Sequence, residues 1–166
     1  MQYKYISTLQ TLFIPVIGLL LLWSGVINAE GLKPGAQAPD FTLAALDKKP
    51  VALKSLLAKG HVMLIFWETQ CVYCYAHIKD FNALQKKYQG KLTLAGINFL
   101  GEYPEQIQRY ADNNNVQYLL LADRLNNIDV AEAYSVIGSP TIVLIAPDGK
   151  ILSIGYEIPD VSRWIK

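Results

Sequence analysis

The two cysteines of this 166-residue chain stand three positions apart, in Cys71-Val72-Tyr73-Cys74. Thiols at this spacing can close to a disulfide and open again by exchange with a thiol of another molecule. The pair follows an apolar run that ends at Trp67 and precedes a helical pattern, so Cys71 is predicted to lie at a helix N-terminus. Unpaired backbone N–H groups there stabilise an anion and lower a thiol pKa below its free value of about 8.5. We therefore predict that Cys71 is the nucleophile and that Cys74 resolves the mixed disulfide.

Two other uses of the cysteine pair remain open. One is a stabilising disulfide, although a bridge across so short a loop removes little entropy from the unfolded chain. The other is a metal site, but a structural zinc site takes four ligands, and the histidines of the chain are only His61 and His77. The spacing and the position of the pair favour redox exchange.

The elements that must position the cysteines form a β-α-β unit. Residues 62–67 are a continuous apolar run of strand length, and residues 92–98 are a second one. Between them, residues 71–89 are predicted to form one amphipathic helix, because apolar side chains recur at steps of three and four and Gly90 ends the pattern. A unit of this kind has parallel strands and a right-handed crossover.

The second half of the chain predicts further helices and an antiparallel hairpin. Helices are predicted over residues 104–113 and 128–134, with a short last helix after residue 159. The turn Pro147-Asp148-Gly149-Lys150 joins two strands, residues 141–146 and 151–156, since Pro presets φ and Gly accepts a positive φ. The predicted fold class is therefore α/β, with a mixed central sheet flanked by helices.

The amino-terminal segment is predicted to take the rest of the chain out of the cytoplasm. No residue from 5 to 29 is charged, and Lys4 before this stretch keeps the N-terminus inside. The apolar run lies between the length of a signal peptide and the about 20 residues that span a bilayer. A cleaved signal and a retained inner-membrane anchor both remain open. The predicted division is 1–29, signal peptide or membrane anchor, and 30–166, a folded domain in the periplasm or another extracytoplasmic space.

The composition excludes two classes of protein. Hydrophobic residues make up 52% of the chain, and 15 basic residues stand against 14 acidic ones. A disordered chain needs low hydrophobicity and high net charge, and neither is present. Binding to nucleic acid needs a large surplus of Lys and Arg to neutralise phosphates, and the surplus here is a single residue.

Three motifs, taken in order along the chain, carry a family resemblance. They are Pro34-Gly-x-x-Ala38-Pro39-Asp40-Phe41-Thr42-Leu43, Phe66-Trp67-x-Thr69-x-Cys71-x-x-Cys74 and Tyr134-Ser-Val-Ile-Gly138-Ser139-Pro140-Thr141. Over residues 34–156 the chain resembles the thioredoxin-fold thiol-disulfide oxidoreductases of the TlpA/ResA type. The resemblance implies a thioredoxin-like fold and the exchange of disulfides with protein substrates.

The resemblance also implies roles for the residues around the disulfide. In the family the disulfide faces a cis-proline loop, and Pro140 matches that proline by motif, with an ordinary trans turn as the alternative. The implied substrate contacts are Trp67, Val72, Tyr73, Ser139 and Pro140. Glu68 and His77 are candidates for tuning the cysteine pair, with plain solvent-exposed surface as the alternative for each. No cofactor is expected besides the disulfide itself.

The direction of the reaction is also an implication of the resemblance, which favours reduction. In this family the electrons come from a membrane thiol transporter, and cytochrome c maturation is one common destination. The alternatives are a disulfide oxidase or isomerase and a redox-inactive thioredoxin-fold binding module. A peroxidase of the peroxiredoxin class has a Thr three residues before its reactive Cys, whereas Thr69 lies two before Cys71.

Two departures from the family concern the redox chemistry. The chain has Val72-Tyr73 where Gly-Pro or Glu-Pro is common, and Ile65 stands where thioredoxins carry a buried acid.

Overall fold

The computed structural model of the protein describes residues 31–166. The predicted signal or anchor segment, residues 1–29, lies outside the described residues, so its nature stays a prediction. Within residues 31–166, no helix combines the length and the apolar composition needed to cross a bilayer.

The strands of the described chain form two sheets. Their bounds are β1 (Thr42–Ala44), β2 (Pro50–Ala52), β3 (His61–Trp67), β4 (Leu92–Asn98), β5 (Leu119–Leu121), β6 (Thr141–Ile145) and β7 (Ile151–Gly155). The central sheet has the order β5-β4-β3-β6-β7, and β1 pairs with β2 in a separate hairpin. β3 is parallel to β4 and β4 to β5, whereas β6 is antiparallel to both β3 and β7. The predicted mixed sheet is confirmed.

Helices connect these strands and flank the central sheet. Their bounds are α1 (Leu53–Leu57), α2 (Val72–Ala76), α3 (Ile78–Lys87), α4 (Pro104–Asn114), α5 (Arg124–Ala133) and a 3-10 helix (Val161–Arg163).

The two strands that lead to the site are confirmed, the first to within one residue of its predicted start. β3 and β4 are parallel and in register from His61 opposite Leu92 to Trp67 opposite Asn98. Both strands are apolar along nearly their whole length because both faces of the sheet are covered. Their carboxyl ends therefore lie side by side, and the cysteines follow directly after one of them.

The single helix predicted over residues 71–89 is wrong. The segment forms α2 and α3, and the break falls at His77, whose φ of −91° and ψ of 0° end the first helix and begin the second. The periodic apolar pattern that indicated a helix starts at Ile78 and belongs to α3 alone. In α2 only Cys74 is buried, so this helix has no apolar face that continues the pattern of α3.

The other differences concern short or terminal elements. The predicted helix over residues 128–134 begins earlier, as α5 at Arg124, and the last predicted helix is a single 3-10 turn. The β1–β2 hairpin, α1 and β5 were not predicted. β1, β2 and β5 have three residues each, which is too short for a periodic pattern to be recognised.

The central sheet separates two hydrophobic layers. Alternate side chains of β3 enter opposite layers, and Met63, Ile65 and Trp67 share theirs with both cysteines. Gly96 on β4 makes room for the Trp67 indole, because a Cβ at that position would lie 3.0 Å from Trp67 Nε1 and 2.7 Å from a Leu120 methyl. Trp67 therefore packs closely on β4 in the same hydrophobic layer as the two cysteines.

Candidate active site

The two predicted cysteines form a disulfide at the start of α2. The Cα atoms of Cys71 and Cys74 are 5.2 Å apart, and the two sulfurs are bonded. Their exposed fractions, 6% and 4%, are too similar to distinguish the nucleophile from the resolving thiol. The backbone does distinguish them, because Cys71 is the N-cap of α2 and its Sγ accepts the N–H of Cys74 at 3.0 Å. A hydrogen bond to a sulfur favours its thiolate, which supports Cys71 as the nucleophile.

A short loop, stabilised by its own hydrogen bonds, connects β3 to Cys71. The N–H of Cys71 donates to the carbonyl of Glu68 at 3.2 Å, and a Glu68 carboxylate oxygen accepts the N–H of Gln70 at 2.6 Å. The Glu68 carboxylate therefore holds the shape of the loop. Its predicted influence on the cysteine pair stays a prediction.

A residue that sequence reasoning missed, Glu102, holds the same loop from the other side. Its carboxylate accepts the N–H of Thr69 at 3.0 Å and the Thr69 hydroxyl at 2.5 Å, and also the side-chain amide of Asn98. Asn98 in turn accepts the Glu102 N–H at 2.9 Å and is fully buried at the end of β4. A polar residue closing an apolar strand, next to the strand that leads to the cysteines, was the signal available in the sequence.

We expect Glu102→Gln to lower the free energy of unfolding by roughly 1–3 kcal/mol. The neutral Gln side chain would replace charge-assisted hydrogen bonds from Thr69 and Asn98 with neutral ones, which are about half as strong. Urea denaturation measures the change. Glu105→Gln is the matched control, because Glu105 is exposed on α4. Equal midpoints for both variants would show that the network does not hold the loop.

The loop before β6 reaches the same edge of the sheet. The Ser139–Pro140 peptide is cis, as the family resemblance implies for Pro140. Thr141 pairs with Phe66, so Pro140 comes next to the carboxyl end of β3, from which the cysteine loop departs. The Thr141 hydroxyl donates to the carbonyl of Gly138 at 2.7 Å and fixes the loop.

The His77 side chain contacts residues of α3, the helix that begins directly after it. Its Nδ1 lies 3.2 Å from a carboxylate oxygen of Asp80, and its ring meets that of Phe81 edge to face at 6.1 Å between centroids. His77 also occupies the break between α2 and α3, so the continuous helical face that was expected to link it to Cys74 is interrupted. Its predicted influence on the disulfide stays a prediction.

Apolar side chains are exposed at the edge of the sheet that holds the disulfide. We call them the apolar rim, which consists of Val72, Tyr73, Tyr75, Leu100, Tyr103, Leu125, Ile137 and Tyr156. Most of these residues follow the carboxyl end of a strand, namely β3, β4, β5 or β7, and Ile137 precedes the amino end of β6. The pairing of the strands brings all five of these ends to one edge of the sheet. In the described chain, every large hydrophobic side chain that is exposed belongs to this set.

The other predicted substrate contacts differ in exposure. Val72 and Tyr73 are 74% and 72% exposed, whereas Trp67 is 3% exposed and its ring lies 4.8 Å from that of Tyr110. Ser139 is half-buried and Pro140 is buried. The structure thus brings all five to the disulfide edge, with Trp67 beneath the surface rather than on it.

Comparison with known proteins gives a consistent result. A model of the AhpC/TSA family matches residues 34–154. The thioredoxin-like protein YneN of Bacillus subtilis is 33% identical over 128 residues, 75% of this chain and 72% of that protein. The thiol-disulfide oxidoreductase ResA of the same organism is 30% identical over 130 residues, 75% of this chain and 68% of that protein.

A solved structure extends the similarity to the fold. The thioredoxin domain of a thiol-disulfide oxidoreductase from Bacteroides vulgatus superposes with a TM-score of 0.74 at 21% identity. The superposition covers 81% of this chain and 99% of that domain.

Proposed function

The chain belongs to the AhpC/TSA family and is a thioredoxin-like thiol-disulfide oxidoreductase, and we propose that it reduces disulfides of other proteins outside the cytoplasm. The observation that supports the proposal most directly is the Cys71–Cys74 disulfide, which stands at the start of α2 and at the same edge of the sheet as the apolar rim. A redox-active pair on an exposed apolar surface suits the capture of another protein, because apolar area drives association.

The proposed reaction has two exchange steps. The Cys71 thiolate attacks a substrate disulfide, forms a mixed disulfide and releases one substrate thiolate. Cys74 then loses its proton and attacks Cys71, which closes the Cys71–Cys74 bond and releases the second substrate thiolate. Two electrons pass to the substrate, and two protons, one of them from Cys74, complete its thiols.

We place the substrate on the apolar rim beside the disulfide. Val72 and Tyr73 contact the segment next to the substrate disulfide, and the backbone of Ser139, held against β3 by Pro140, pairs with that segment as an added strand. This arrangement recognises main chain and apolar side chains, so it accepts more than one protein.

The proposal includes a source of electrons and a location. A membrane thiol-electron donor re-reduces the disulfide, and cytochrome c maturation is the proposed destination of the electrons. The uncharged stretch over residues 5–29 supports export, with the segment either kept as an inner-membrane anchor or cleaved. No cofactor besides the disulfide is proposed.

The reduction potential of the Cys71–Cys74 couple in the purified protein tests the direction. A value near that of thioredoxin, about −270 mV, supports a reductant, and a value near about −120 mV would make the protein an oxidase. An insulin reduction assay is the companion test. Failure to turn over insulin at either potential would favour a redox-inactive binding module.

A reporter fused after Lys166 tests the location. An enzyme that is active only outside the cytoplasm is expected to be active in this fusion. Extraction of membranes with carbonate then separates an anchored protein, which stays in the pellet, from a cleaved and released one. An inactive reporter on a soluble, full-length fusion would contradict export.

A further inference from the structure

Tyr110, on α4, lines the same cavity as Cys71, and its hydroxyl has no partner among residues 31–166. Its ring lies against Trp67, with 4.8 Å between centroids, and the residue lines a cavity of about 360 Å³ together with Cys71, Val72 and Tyr75. The hydroxyl oxygen is completely buried, and no group among residues 31–166 forms a hydrogen bond with it. A Phe at this position would make the same ring contact without burying a polar atom.

A buried hydroxyl that lacks a partner destabilises the state in which it is found. The state described here is the oxidised one, with the disulfide closed. The hydrogen-bond partner of the Tyr110 hydroxyl is therefore expected to be a neighbouring group that becomes a better acceptor when the disulfide is reduced.

The carboxylates near Tyr110 take no part in the redox reaction, and they already accept hydrogen bonds from other groups. Both oxygens of Glu102 accept hydrogen bonds from Thr69 or Asn98, and Glu68 accepts from Gln70. Cys71 does change. Its sulfur is a weak acceptor in the disulfide and a strong, charged acceptor once the bond opens.

We propose that the Tyr110 hydroxyl donates a hydrogen bond to the Cys71 thiolate when the disulfide is reduced. The inference rests on the proposed thiol exchange at Cys71. In the reductive half-reaction, a partner dithiol is oxidised to a disulfide while the Cys71–Cys74 bond is broken by two electrons. One of the two protons of the partner ends on Cys74, the other passes to solvent, and Cys71 remains a thiolate that accepts the hydrogen bond.

The titratable neighbours of Tyr110 favour its protonated form, so its hydroxyl acts as a hydrogen-bond donor and not as a base. Burial raises the pKa of Tyr110, and electrostatic interaction with the neighbouring Glu68, Tyr75 and Glu102 side chains raises it further. Tyr118, a further phenol near Tyr110, has its pKa raised mainly by burial. The hydroxyl of Tyr110 therefore keeps its proton throughout the range in which thiols ionise, and it can stabilise a thiolate without competing for the proton.

Tyr110→Phe in the full-length protein tests the proposal, because it removes the hydroxyl and keeps the ring. Without the donor the thiolate is less stable, so the pKa of Cys71 is expected to rise by about one unit, measured as the pH dependence of alkylation. The reduced form loses the same interaction, so the couple becomes more reducing, by about 30 mV for a tenfold change in equilibrium constant.

Tyr134→Phe is the matched control. The Tyr134 hydroxyl is also buried, but it donates to the carbonyl of Pro39 at 2.8 Å, and Tyr134 belongs to the hydrophobic layer on the other side of the sheet. This variant is expected to be less stable, with the pKa of Cys71 and the potential unchanged.

Two results would overturn the proposal. One is a Tyr110→Phe protein whose alkylation profile and potential overlay those of the parent. The other is an effect that vanishes in a Glu68→Gln background, which would assign the hydrogen bond to Glu68. Neither measurement needs a substrate protein, so failure of the parent to reduce insulin would count against the proposed function alone.

Discussion

Cys71→Ser is expected to abolish thiol exchange, and Cys74→Ser is expected to trap partner proteins as mixed disulfides. Cys71 begins α2 and accepts the N–H of Cys74, so its thiolate is the one that the backbone stabilises. Cys74 then has a single task, which is to resolve the mixed disulfide. Without it the first step still occurs and the second cannot.

Non-reducing electrophoresis and mass spectrometry of the trapped species measure this result. Turnover in the insulin assay is expected to fall to the background rate in both variants, and adducts are expected only with Cys74→Ser. Cys71→Ser thus serves as the control for non-specific capture. Adducts on Cys74 in the Cys71→Ser variant, or full turnover by Cys74→Ser, would show that the assigned roles are wrong.

Ile137→Glu is expected to weaken reaction with protein disulfides while sparing small ones. Ile137 is 88% exposed, the highest value in the apolar rim, and lies three residues before Pro140. A charge there would have to be desolvated under a docked protein. The loss for a central apolar contact is about 2 kcal/mol, which corresponds to roughly thirtyfold in kcat/KM.

Steady-state kinetics measured once with insulin and once with a small disulfide, such as oxidised glutathione, separates docking from chemistry. The rate with the small disulfide is expected to stay at the parental value. Ala58→Glu is the control, because Ala58 is exposed just after α1, before the amino end of β3 and away from the disulfide. Equal losses in the two variants, or a loss with glutathione as well, would contradict docking through the apolar rim.

Several features of the site could be predicted because their signals are local. The strand before the cysteines is a continuous apolar run, and the positive φ of Gly149, +85°, lies in the turn that the Pro-Asp-Gly sequence predicts. The disulfide needs only two thiols at the right spacing beside a strand and a helix. Features of this kind can be predicted from residues that are close in sequence, because they do not depend on the rest of the chain.

The break at His77 shows where a local signal was misleading. The apolar side chains recur with helical spacing only from Ile78 onward, but the predicted helix was taken to begin at Cys71. In the structure, α2 buries only Cys74, because its other side chains face solvent at the apolar rim. An exposed segment lacks an apolar pattern, so its helix boundary could not be found from periodicity.

The amino-acid sequence alone determined the redox pair, the β-α-β unit that presents it, and the alternatives for residues 1–29. Only the tertiary structure decided what surrounds the pair. Thr69 meets Glu102 across 33 positions, and Trp67, at the end of β3, meets Tyr110 of α4. The apolar rim likewise gathers side chains from separate connections. These contacts depend on the order and register of the strands, which bring distant segments to one edge, and no spacing within the chain encodes them.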